Sequence, residues 1–66
     1  MAVDCNNNVL NVGDTVQIVD PEYPDNGKYG EITNISSQAS IMVAIPFGDP
    51  VPVEKTFAGY QIQKQK

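Results

Sequence analysis

The stretch NGKYGEI, residues 26–32, decides the fold of this chain. Gly27 and Gly30 stand immediately before a run that turns apolar at Ile32. Asn26-Gly27 is a turn pair suited to positive φ. Gly30 at the head of a strand points either to a sharply bent backbone needing φ > 0 or to a neighbouring strand passing too close for a side chain. Both readings call for a small, strongly curved sheet.

Strand signals lie on both sides of it. TVQIV, 15–19, alternates Val16 and Ile18 against polar neighbours, the pattern of a half-buried strand. DPEYPDNG, 20–27, is a proline-stiffened loop, because Pro21 and Pro24 remove two backbone donors. GEITNI, 30–35, is a second strand, and Ile35 falls out of alternation, so a bulge or the strand's end is expected nearby. SSQ, 36–38, reads as a polar turn. ASIMVAIPF, 39–47, places Ile41, Val43 and Ile45 on one face, with Pro46 ending it or sitting at an edge. FGDPVP, 47–52, is a connection. VEKTF, 53–57, should turn Val53 and Phe57 inward and Glu54 and Thr56 outward. AGY, 58–60, is one helical turn, and QIQ, 61–63, closes with Ile62 inward.

Composition agrees. Sixty-six residues make one domain near the lower limit for folding on a hydrophobic core. The apolar residues are mostly valine and isoleucine, with Leu10 the sole leucine, and β-branched side chains suit pleated surfaces. Five short strands with turn signals between them suggest a small barrel. A single bent sheet also hides its edges.

VGDTVQIVDPEYPDNGKYGEITNI, 12–35, resembles the KOW motif. The residues that carry the resemblance are Val12, Gly13, Asp14, Val16 and Ile18, then Gly27, Lys28, Gly30, Ile32 and Ile35. IMVAIPF, VEKTF and YQI look like the remaining strands of an SH3-like barrel. The resemblance implies an all-β, five-stranded SH3-like barrel over residues 9–63, with one short 3-10 turn before the last strand. Residues 1–8 are then a flexible N-terminus and 64–66 a tail. Such barrels occur in ribosomal and transcription-elongation proteins and, in similar form, as small accessory subunits of larger complexes.

Charge separates these roles. Eight acids face four lysines and no arginine or histidine, for a formal charge of −4. Lys64 and Lys66 lie in the tail, which leaves Lys28 and Lys55 among the acids of the body. Nucleic-acid affinity rests on cations at phosphate, so a basic protein partner is the expectation and an RNA- or DNA-associated KOW domain the alternative. A tryptophan and an ALYDY-like stretch, which proline-peptide-binding SH3 domains need, are both missing.

Catalysis is not expected. Histidine, the most versatile proton carrier, and arginine, the bidentate anion clamp, are both missing. Ser36, Ser37 and Ser40 have no base beside them. Asp20, Glu22, Asp25 and Asn26 crowd one loop, but their order does not fit a calcium loop, so no metal or cofactor is expected. Cys5 cannot form an internal disulfide and reads as a free thiol. The first residues lack the basic and apolar regions of a leader, and no apolar run reaches membrane-spanning length. The expectation is a cytoplasmic, non-catalytic protein-binding module or accessory subunit. Its candidate partner-binding residues are Asp20, Glu22, Tyr23, Asp25 and Tyr29, on or beside the long loop, because loops on rigid scaffolds carry function.

Overall fold

The structure is a computed structural model that describes residues 1–45 and 50–65. Its elements are β1 (Thr15–Ile18), β2 (Tyr29–Ser37), β3 (Ser40–Ile45), β4 (Val53–Phe57), the 3-10 turn η1 (Gly59–Gln61) and β5 (Ile62–Lys64). The strands form one antiparallel sheet in the order β4-β3-β2-β1-β5. The all-β class, the five strands and the short turn before the last of them are as expected. The expected closed barrel is not found: β4 and β5 are the two edges and do not pair with each other among the described residues. The expected strand end at Pro46 and Phe47, and residues 47–49 of the connection 47–52, lie outside the described residues.

One apolar cluster is shared by every strand. Val16 and Ile18 of β1, Ile32 of β2, Ile41, Val43 and Ile45 of β3, Phe57 of β4 and Ile62 of β5 are all buried in it. Ala2 and Leu10, from outside the strands, complete the cluster, and the half-buried Tyr23 of the long loop packs against it. β3 shows the strict alternation its sequence promised. In β4, Glu54 and Thr56 are exposed and Phe57 is buried, as expected. Val53 is a correction, being 58% exposed. It is the first residue of an edge strand and pairs with the buried Ile45, and among the described residues no further strand covers its other side.

The register of β2 on β3 shifts twice, between Ile32 and Asn34 and between Ile35 and Ser37. Of the two alternatives near Ile35, the irregularity is present and the strand does not end there but runs on to Ser37. The turn is shorter than expected, because Ser36 and Ser37 continue β2 and Ser37 pairs with Ser40. Only Gln38 and Ala39 lie between, and neither has positive φ. Tight two-residue hairpins favour turns with positive φ that match the strand twist. The second register shift lies directly beside this turn, where it can absorb the mismatch.

Among the N-terminal residues 1–8, Ala2 and Asp4 are buried, while Met1 and residues 5–8 are exposed. Ala2 and Leu10 are buried in the core, and Val3 bridges to Val9. The Cys5 N–H donates to Ile62 O at 3.1 Å, and Lys64 N–H donates to Asp4 Oδ2 at 2.7 Å. The segment thus covers the free edge of β5, a common protection against edge-to-edge association. Lys64, expected in a tail, belongs to that strand. Gln38 fastens the segment from the other side. Its side chain accepts from Val3 N–H at 2.8 Å and donates to Val3 O at 2.9 Å. Gly59 lies beneath this contact, and a side chain there would collide with Val3 O and the Gln38 amide.

Candidate functional site

The long loop leaves β1 at Ile18 and returns at Lys28, and its mouth is closed by the backbone. Ile18 N–H donates to Lys28 O at 2.9 Å, and Gly27 N–H donates to Ile18 O at 2.7 Å. Gly27 has φ +91°, so the positive-φ reading of the Asn-Gly pair holds. Inside the mouth the chain winds through short turns: Tyr23 N–H to Asp20 O at 3.1 Å, Asn26 N–H to Tyr23 O at 3.0 Å and Lys28 N–H to Asp25 O at 2.9 Å. These satisfy backbone groups that the prolines leave outside any ladder.

The loop then reaches the far edge of the sheet. The rings of Tyr23 and Phe57 are 4.9 Å apart and tilted by 54°, a favourable aromatic geometry. The Asp25 carboxylate is hydrogen-bonded to Lys55 and lies 3.3 Å from Lys28 Nζ. Lys55 Nζ also sits 5.7 Å from the Tyr23 ring centroid, a cation–π contact. A segment that follows β1 is thereby latched to β4, across the core rather than along the sheet.

Electrostatics follow from these contacts. The Lys55 hydrogen bond holds the Asp25 carboxyl below its ordinary range, against the opposing effect of burial, and Lys28 adds to it. The same bond raises Lys55. Asp20 is held low by the Gln61 side chain, which donates to Oδ2 at 2.8 Å, and by Glu22 N–H on Oδ1 at 3.0 Å. Gln61 in turn accepts from Ala58 N–H at 2.8 Å, which fixes the short helical turn to the loop.

Of the five candidate residues, three are engaged by the fold itself. Asp25 is buried, Tyr23 is half-buried against Phe57, and Asp20 is tied to Gln61. Glu22 and Tyr29 face solvent. Lys55 and Gln61 were missed in the sequence. Lys55 had a legible signal, because alternation in VEKTF puts it between Val53 and Phe57 on the inward side. A cation there needs a counter-charge.

Replacing Asp25 by asparagine should destabilise the chain by about 1.5 kcal/mol at neutral pH, the scale of a hydrogen bond to a charged group. The pH signs are opposite for the two partners. Asp25 is lowered from 3.8, so its contribution is full above that value and fades as pH falls through the folded pKa. Lys55 is raised from 10.5, so its contribution is full below that value and is lost as pH rises through the folded pKa. Urea midpoints of the wild type and the variant, read across the acid range, should converge at low pH. Parallel curves would exclude the latch as a titrating element.

Elsewhere the chemistry is sparse. Cys5 is exposed and free, and its thiol is pushed up by desolvation and by the charge of Asp4, so little reactive thiolate is present. Among the described residues no group of three or more histidine, cysteine or acidic side chains is placed to hold a metal. No described helix is long and apolar enough to cross a membrane. Compared with family models, curated proteins and solved structures, the chain matches none.

Proposed function

We propose that the chain is a non-catalytic, SH3-like binding module of the cytoplasm, an accessory subunit whose acidic surface meets a basic protein partner. The observation that carries this reading is the asymmetry of its charges. The described lysines are all engaged within the chain: Lys28 and Lys55 with Asp25, and Lys64 with Asp14 at 3.4 Å and with Val9 O at 3.0 Å. Glu22, Glu31 and Glu54 remain exposed, with Tyr29 exposed two positions before Glu31 on β2. A field of one sign steers an oppositely charged partner and sets its register. Lysines already paired are poorly placed to neutralise phosphates. The strand order, with β5 beside β1 and a short 3-10 turn before it, supports the SH3-like assignment, as do the loop's contacts with β4 across the core.

Titrating the labelled chain with a lysine-rich peptide and, separately, with single- and double-stranded oligonucleotides at low salt tests the reading. The peptide should shift the Glu22 and Tyr29 resonances. Reversing Glu22 to lysine should weaken peptide binding by roughly threefold to fivefold, the scale of one exposed charge pair. Binding that ignores both salt and the reversal overturns the acidic surface. Tighter binding of an oligonucleotide would favour the nucleic-acid alternative.

A further inference from the structure

Asn26 is the one asparagine in the chain followed by glycine; the others precede asparagine, valine or isoleucine. We propose that Asn26 is a site of spontaneous covalent modification, by loss of ammonia, and that the latched loop holds it in check. The inference is independent of the binding role proposed above.

The reaction is internal to the backbone. The Gly27 amide nitrogen attacks Asn26 Cγ, so a new N–C bond forms and the Cγ–Nδ2 bond breaks. Ammonia leaves with the proton that Gly27 N carried, and a five-membered imide remains. Water opens the imide at either carbonyl and yields aspartate or isoaspartate at position 26. No oxidant or cofactor takes part. Glycine favours the attack because it places no side chain beside the nucleophile and lets the peptide plane rotate.

Three observations place this chemistry under control of the fold. Asn26 is exposed, so water reaches it. The attacking group is not free, because Gly27 N–H donates to Ile18 O at 2.7 Å. That bond fixes the peptide plane that must turn toward Cγ. Both neighbours of the pair are also tied down: Asp25 by Lys55 and Lys28, and Lys28 by its carbonyl, which accepts from Ile18 N–H at 2.9 Å. Attack therefore waits for local opening of the loop mouth, and opening of this kind is set by local rather than global stability. Each conversion adds a negative charge beside Asp25, and isoaspartate also inserts a methylene into the backbone of the turn. Both changes act against the latch that held the reaction back.

The experiment follows conversion of the asparagines to acids by peptide mass mapping at one mildly alkaline pH. It compares the folded wild type, the wild type in urea, and the folded variants Lys55→Gln and Asp25→Ser, with Asn26→Gln as the site control. In urea, Asn26 should convert ahead of every other asparagine. In the folded chain it should convert at least about tenfold more slowly, equivalent to ~1.4 kcal/mol of opening free energy. Whichever latch variant retains the wild-type circular dichroism should fall between the two. Equal rates in folded and unfolded chains, an unaltered rate in a folded latch variant, or faster conversion at another asparagine in urea would each overturn the proposal.

Discussion

Replacing Gly30 by valine should unfold the domain or bring its thermal transition to near ambient temperature. Gly30 is buried at the head of β2, opposite Val16 of β1. A Cβ at this position would lie 2.5 Å from Val43 Cγ1, 2.7 Å from Ala44 O and 3.1 Å from Ile45 Cγ1. None of these can yield cheaply. Val43 has no exposed surface, and Ala44 is paired on both sides, with Glu31 and Glu54. Overpacking alone costs up to about 3 kcal/mol, and valine adds two methyls to a Cβ that already collides with a strand backbone. A chain this small has a total stability of roughly 3–10 kcal/mol, so the expected loss is a large part of the whole.

A comparison variant separates the two ways in which a glycine can be required. Gly27 has φ +91° and nothing within 4 Å of its would-be Cβ. Gly27→Ala should therefore cost only about 1 kcal/mol, the strain of a side chain in the left-handed region. Gly30 has no positive φ, and its requirement is space. Thermal melts of Gly27→Ala, Gly30→Ala and Gly30→Val should fall in that order of decreasing stability. A Gly30→Val transition at the wild-type temperature would remove the close approach of β2 and β3 from the account of the fold.

The same pair of glycines shows what the sequence made legible. NGKYGEI called for one glycine in a turn and another at a bend or close approach, and each local rule was read from two or three adjacent residues. β3 was equally plain, because its alternation is local. What stayed hidden depends on residues far apart in the chain. Asp25 meets Lys55 thirty positions away, and Asp20 meets Gln61 across forty-one. The loop acids therefore read as an open surface, although two of them hold the loop to the rest of the fold. Glu22 and Tyr29, by contrast, have exposed side chains. The polar N-terminus conceals its contacts for a related reason. DCNNN has the composition of a frayed end, yet its aspartate has its partner at Lys64, sixty positions on.

That aspartate holds the N-terminal segment to the sheet. Asp4→Ala should destabilise the chain by about 3 kcal/mol, the result of leaving several donors without their charged acceptor. Asp4 Oδ1 accepts from the N–H groups of Asn6 at 2.9 Å and Asn8 at 2.8 Å. Oδ2 accepts from Lys64 N–H at 2.7 Å and from the Asn8 side chain at 3.2 Å. One carboxylate thus shapes the N-terminal turn, where Asn7 is held at φ 65°, and ends the β5 edge. Asp4→Asn separates these roles. Its oxygen can keep the Asn6 and Asn8 bonds, while its amide would turn a donor toward the donor of Lys64, so it should fall between wild type and alanine.

The pH dependence supplies an independent reading of the same residue. Burial opposes ionisation of Asp4, but the hydrogen bonds from Lys64, Asn8 and Asn6 outweigh it and leave the carboxyl below 3.8. Its contribution is then full above that value and is lost as pH falls through the folded pKa. Acid should weaken the wild type through this group, together with Asp20 and Asp25, which are lowered in the same direction. Asp4→Ala should show a shallower acid slope. Chemical-denaturation midpoints measured from neutral to acid pH decide it: the two curves should approach one another as Asp4 takes up its proton. A constant gap would mean that Asp4 acts through packing alone. The loss should also appear in solution behaviour, because a released N-terminal segment uncovers β5 and leaves an unpaired strand edge. Asp4→Ala should therefore associate at concentrations where the wild type does not, and light scattering at neutral pH would detect it.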